Sequence, residues 1–255
     1  MTEPVKQVFV TPGGELWAWS EPTTAGDTRP VILWIDGAFS IPRPRSFELQ
    51  GYLPEARVLN AHLPGNHCPE TAEHSVEAYA AAYDELLRQV NRPAIVIGAS
   101  IGGLVAMAMR SPLRRGLVLL DPPLLTGKLW PLFGTFQRLF RERPGDAYLR
   151  VFLENLFGIS VDGVNGKDYR ELVSRLDRPT WVLFGDQALM PERPFQETPS
   201  LLDTPERDLL AAHPQVRVRL IEGIGHNVGG RAITFVRTVA RDLLLRTMVG
   251  DHVKS

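Results

Sequence analysis

The sequence predicts an α/β domain: a mostly parallel central sheet of about eight strands, helices on both faces, and a helical cap insertion. Three observations predict it. Short β-rich runs alternate with segments long enough to hold a helix, two of those segments carry apolar residues at helical spacing, and one connection is far longer than a crossover needs. With 255 residues, 44% of them hydrophobic, the chain can bury a full core in one compact domain.

The first two runs, "VKQVFVT" and "ELWAWSE", flank "PGG" and read as a hairpin, because Pro-Gly-Gly supplies the turn between two alternating segments. Then come "VILWID" (Val31 to Asp36), "ARVLNA", "AIVIGA", "GLVLLD", "TWVLFGD" and "VRVRLIEG", apolar enough for strands buried on both faces. Between the second and third of these, Val76, Tyr79, Ala80, Tyr83, Leu86, Leu87 and Val90 fall on one face of a helix. Ile233, Val236, Ala240, Leu243 and Leu244 repeat the pattern in a last helix. From Pro122 to Pro179 the spacing breaks. Leu129, Leu132, Phe133, Phe136 and Phe140, a "RPG" break, and Tyr148, Leu149, Phe152, Leu156 and Phe157 predict two or three helices over the C-terminal edge of the sheet, where open α/β sheets bind ligands. The expected division is a core of residues 1–121 and 177–255 and a cap of 122–176. Most of the cap's Phe and Leu side chains should form its own core, and a few should line an apolar pocket.

Composition narrows the partners. With 28 basic and 29 acidic side chains and a net charge of −1, the chain carries no electrostatic footprint for nucleic acid or an anionic membrane, so a small molecule is the expected partner. The start, "MTEPVKQVFVTPGG", lacks the basic-then-apolar pattern of a signal peptide, and a cytoplasmic location is expected. Cys68 is the one cysteine, which excludes an internal disulfide. The apolar stretch from Ala94 to Met109 falls short of the roughly 20 residues of a bilayer span.

Gly98-Ala99-Ser100-Ile101-Gly102 matches G-x-S-x-G, with a strand before it and a helix after it. A sharp strand-to-helix turn needs glycine on either side of the serine, because neighbouring backbone comes close there. It leaves the Ser100 hydroxyl at a helix start that favours developing negative charge. Serine is also a preferred helix N-cap, the bland reading of the same residue. A dinucleotide fingerprint, with Asp121 as the ribose-binding acid, fails because Ser100 occupies the position between the glycines where that motif needs close backbone approach.

A serine nucleophile needs a base and an orienting acid. "VRVRLIEGIGHNVGG" places His226 directly after the last strand, on the sheet edge that carries Ser100. "TWVLFGDQALMP" places Asp186 just past its strand, giving the order Ser100, Asp186, His226. His62, His67, Cys68 and His74 match no familiar metal spacing and read as solvated loop residues; neither a metal nor a cofactor is expected. "NHCPE" offers no helix start that would make Cys68 a nucleophile.

With these features in place, nearly the whole chain resembles the α/β-hydrolase family: the hairpin, the "ASIGG" turn, "HLPG" after the second parallel strand, the cap insertion and the final "GH". In relatives the acid usually stands three residues past the strand-ending glycine, here Ala188, whereas Asp186 stands one past Gly185. Some members carry it after the earlier strand, where Asp121 ends "GLVLLD", so both carboxylates are candidates. The resemblance implies an oxyanion hole made by the backbone N–H groups of Ile101 and Ala38. Relatives read His-Gly where this chain reads Asp36-Gly37. A carboxylate aimed at the hole would oppose its purpose, so Asp36 is expected to point away or to be tied to backbone N–H groups. The implied activity is that of a cofactor-free serine esterase or thioesterase acting on an apolar acyl group. Carbon–carbon bond or lactone hydrolysis by the same triad, and a non-catalytic ligand-binding protein on the same fold, are the alternatives.

Overall fold

The computed structural model describes residues 3–24, 26–42 and 49–249. Among the described residues eight strands form one sheet: β1 (Val5–Thr11), β2 (Gly14–Ser20), β3 (Val31–Ile35), β4 (Arg57–Ala61), β5 (Ala94–Ala99), β6 (Arg114–Leu120), β7 (Thr180–Gly185) and β8 (Val216–Ile221). Their spatial order is β1-β2-β4-β3-β5-β6-β7-β8. The hairpin closes at Thr11 opposite Gly14, so Pro12 and Gly13 make the turn, and β2 joins β4 antiparallel. Every pairing from β4 through β3 to β8 is parallel. All the runs named from the sequence are strands.

The helices that bear on the site and its packing are α1 (Val76–Val90), α2 (Ile101–Ala108), α3 (Trp130–Glu142), α4 (Ala147–Phe152), α5 (Glu171–Ser174), α6 (Thr204–Ala211), α7 (Val228–Arg231) and α8 (Ile233–Val249). Helix α1 starts where Ser75 accepts the Ala78 N–H and ends at Asn91 in the left-handed conformation. Of the seven residues whose spacing places them on one face, all but Val90 are buried. No described helix is long and apolar enough to cross a membrane.

Alternation along the strands divides the core into two layers. Val31, Leu33 and Ile35 pack with Tyr79, Tyr83 and Leu104 of α1 and α2, whereas Ile32 and Trp34 pack with Val236, Ala240 and Leu243 of α8. Each fully buried side chain of this kind contributes about 2 kcal/mol, and covering both faces is what lets the strands be apolar throughout.

The segment between β6 and β7 holds α3 and α4, with a single π turn at Leu153–Phe157 continuing α4. Helix α3 stops at the "RPG" break, and Asp146 restarts the chain by accepting the Leu149 N–H at 2.9 Å. An aromatic cluster holds the segment together: Phe136 stacks edge-on to Phe157 at 5.3 Å and Phe152 reaches Phe157 at 6.0 Å. The same cluster reaches the sheet, because Phe39, just past β3, meets Phe152 at 5.7 Å and Phe136 at 6.3 Å. Two polar ties fix its base: Trp130 Nε1 donates to the Leu189 carbonyl at 3.0 Å, and Lys128 pairs with the buried Glu206.

Candidate active site

Ser100 sits between β5 and α2 with φ 53° and ψ −124°, a conformation that costs a non-glycine residue about 1–3 kcal/mol. It occupies the N-cap place of α2, yet its hydroxyl makes no capping bond. The bland reading of this serine therefore has no support. The flanking glycines answer a real crowding. A Cβ on Gly98 would lie 2.4 Å from the Gly102 carbonyl oxygen, and one on Gly102 would lie 2.5 and 2.6 Å from the Ile35 and Asp36 carbonyl oxygens. Because both obstacles are backbone, Gly102→Ala is expected to cost about 2 kcal/mol or more. Thermal unfolding should show that loss as a melting point lower by roughly 5 °C.

A cavity of about 370 Å³ opens over this turn, within the range of small-molecule sites. Ser100 and His226 both line it; Phe39, Leu132, Phe136 and Phe157 form its apolar wall. Leu132, Phe136 and Phe157 are thus among the few side chains of the stripe that line an apolar pocket. Ile101, first residue of α2, has an N–H with no partner inside the helix. The loop after β3 reaches the same spot, since a Cβ on Gly37 would stand 3.1 Å from Ser100 Cβ, and Ala38 lines the cavity. The two amides nominated for the oxyanion hole therefore belong to segments that meet beside Ser100.

His226 Nδ1 lies 2.7 Å from Asp121 Oδ2. Asp121 is fully buried and stands directly after β6, at φ 49°. Its backbone N–H donates to the Leu183 carbonyl at 2.8 Å. Two further donors hold the carboxylate: Ser200 Oγ on Oδ1 at 2.6 Å and the Leu201 N–H on Oδ2 at 2.8 Å. Neither residue was legible as functional, since both come from the irregular stretch after β7 and carry no motif. The backbone N–H of His226 donates to the Thr198 carbonyl at 2.7 Å, so that stretch cradles the histidine and the carboxylate together.

The expectation that Asp186 partners His226 is corrected by this geometry. Asp186 is exposed, its N–H still belongs to the β7–β8 ladder through the Ile221 carbonyl at 3.1 Å, and its Oδ1 accepts the Gly223 N–H at 3.0 Å. One residue past the strand, its side chain clasps the neighbouring strand's turn instead of turning toward the histidine.

Asp36 lines the cavity but is 2% exposed. It was expected to point away or to be tied to backbone amides. Two side chains donate to it: Trp34 Nε1 on Oδ1 at 2.9 Å and Asn60 Nδ2 on Oδ2 at 3.0 Å.

The reading of the histidine cluster as solvated is likewise corrected. His67 is exposed, but His62 and His74 are buried. His74 Nδ1 lies 2.7 Å from Tyr79 Oη. His62 accepts from Trp19 Nε1 on Nε2 at 2.9 Å, which leaves Nδ1 to donate to the Asn66 carbonyl at 2.9 Å. Cys68 Sγ donates to the Leu63 carbonyl at 3.2 Å, and burial pushes its thiol up to about 11, far from a nucleophile at neutral pH. Among the described residues no three His, Cys, Asp or Glu side chains gather as a metal site requires.

Burial holds His62 below its ordinary value of 6.5, with His67 and Lys6 pushing the same way and the Asn66 carbonyl and Asp36 opposing. The unfolded chain then takes up a proton that the folded chain refuses. Stability from this group is full above about 6.5 and is lost as pH falls toward the depressed folded value. The urea midpoint of the wild type should drop between about pH 7.5 and about pH 5, and His62→Gln should drop less over that interval.

Comparison with known proteins agrees with the architecture. A family model described as "Alpha/beta hydrolase family" matches residues 10–243. Among solved structures, an alpha/beta hydrolase from Novosphingobium aromaticivorans is 20% identical with a TM-score of 0.66, over 96% of this chain and 99% of that one. A thermophilic esterase from Thermogutta terrifontis is 20% identical with a TM-score of 0.64, over 96% and 99%. A proline iminopeptidase from Mycobacterium smegmatis is 12% identical with a TM-score of 0.68, over 97% and 100%. At these identities the likeness is one of fold. No sequence among curated proteins matches.

Proposed function

Because the chain belongs to the alpha/beta hydrolase family, we propose that it is a serine hydrolase cleaving a carboxylic ester or thioester of a small to medium apolar acyl group. Ser100 is the nucleophile, His226 the base and Asp121, in place of Asp186, the orienting acid. The observation that carries this reading is the 2.7 Å contact between His226 Nδ1 and buried Asp121, with Ser100 and His226 on one cavity.

The contact sets the histidine's tautomer. A carboxylate accepts only, so Nδ1 carries the proton and Nε2 is left to take the one on Ser100 Oγ. As Oγ attacks the acyl carbon, the carbonyl π pair moves to oxygen, and the Ile101 and Ala38 N–H groups receive that charge. The tetrahedral species collapses, and imidazolium Nε2–H protonates the leaving alcohol or thiol. Water then attacks the acyl-serine, losing its proton to Nε2, and expulsion of Oγ with return of that proton restores the site. The aromatic wall of Phe39, Phe136 and Phe157 favours an apolar acyl chain, and the cavity volume limits its length.

The test is turnover of p-nitrophenyl and coenzyme A acyl esters of graded chain length. The reading expects kcat/KM to rise with chain length and then fall once the chain outgrows the cavity. No turnover of any ester or thioester would overturn it in favour of a ligand-binding protein; turnover of lactones alone would move it to that chemistry.

A further inference from the structure

The loop that carries Ala38 is poorly held by its own bonds. Ser40 N–H reaches the Gly37 carbonyl at 3.5 Å, too long to fix a turn, and Phe39 sits at φ 62°, a region side chains disfavour. Its ends are held from outside. At the first end Asp36 takes the Trp34 and Asn60 donors. At the second, Asn66 Nδ2 donates to the Ser40 carbonyl at 2.8 Å.

Asn66 is itself fixed. It is 5% exposed, its N–H donates to the Leu63 carbonyl at 2.9 Å, and its carbonyl accepts from His62 Nδ1. His62 in turn is held on β2 by Trp19 Nε1 and by its own N–H on the Trp17 carbonyl. A continuous run of hydrogen bonds thus leads from the N-terminal hairpin to the loop beside Ser100.

We propose that Asn66 is a positioning residue for the oxyanion step: by holding the Ser40 carbonyl, with His62 and Trp19 holding Asn66, it keeps the Ala38 N–H in place for the developing oxyanion. The proposal rests on Ala38 serving as an oxyanion donor in the hydrolase reading above. Substrate binding does not need that amide in its final place, but the tetrahedral species does, so the effect falls on kcat.

The experiment compares the wild type with Asn66→Ala and Asn66→Asp, the second keeping the shape while replacing the donor by an acceptor. Both should lower kcat about 10- to 100-fold, less than loss of a donor outright, with KM within about twofold. An alkyl boronic acid, which forms a tetrahedral adduct on the serine, should bind weaker by the same factor. Hydrogen–deuterium exchange of residues 37–40 should quicken in both variants while strands β3 and β5 stay protected. Unchanged exchange of that loop would overturn the brace whatever the enzyme does. Faster exchange with unchanged kcat and boronate affinity would overturn the positioning role and leave the hydrolase standing. A wild type that hydrolyses no ester and binds no boronate would sink the hydrolase reading and this proposal with it, faster exchange then marking a structural tie alone.

Discussion

Asp121→Asn is expected to lower kcat about 10⁴-fold while the protein stays folded, because an amide at that place offers an N–H to His226 Nδ1 and sets the wrong tautomer. The carboxylate at this position has three partners: Ser200 Oγ, the Leu201 N–H and His226 Nδ1. All three donate, so the site is built for an acceptor with two oxygens. Asp186→Asn supplies the contrast. That carboxylate is exposed and accepts from the Gly223 N–H, a surface contact whose loss should cost under about 1 kcal/mol and leave kcat within about twofold. Steady-state kinetics and melting curves of the two variants, side by side, decide the assignment. Loss of turnover in Asp186→Asn with Asp121→Asn active would return the acid to the loop after β7.

Ser100→Ala should be the most damaging single change to turnover, lowering kcat by about 10⁶-fold where a full triad is working. Its stability should move little, since the Cβ remains and the hydroxyl makes no capping bond. Adding Asp121→Asn to Ser100→Ala should cost almost nothing more, because the acid acts through a histidine that has lost its nucleophile. A further drop near 10⁴-fold in the double variant would show that Asp121 acts by another route.

The fold was readable because each strand is a continuous apolar run and each long helix keeps one face, which are local properties of the chain. Ser100 was readable for the same reason: the turn demands glycine two places before and after it, and those positions are adjacent in sequence. His226 could be nominated from its place after the last strand. For the acid the sequence nominates Asp186 with Asp121 as the alternative, and both carboxylates follow parallel strands. What separates them is the stretch after β7, which folds back so that Ser200, Leu201 and Thr198 gather Asp121 and His226. That folding leaves no local pattern. The histidine cluster misled for a related reason. "AHLPGNHCPE" looks like a polar loop, but His62 is buried by Trp19 and Tyr83, whose Oη donates to the His62 carbonyl at 2.6 Å, and those residues lie far along the chain.

Whether Ser100 is an activated nucleophile is decided by reacting the intact protein with a fluorophosphonate near neutral pH and reading the product by intact mass and peptide mapping. The expected result is one phosphonyl group per chain, on Ser100, absent in Ser100→Ala and formed much more slowly in Asp121→Asn. A folded wild type that takes up no label, or takes it up on another residue, would show that Ser100 is not the nucleophile.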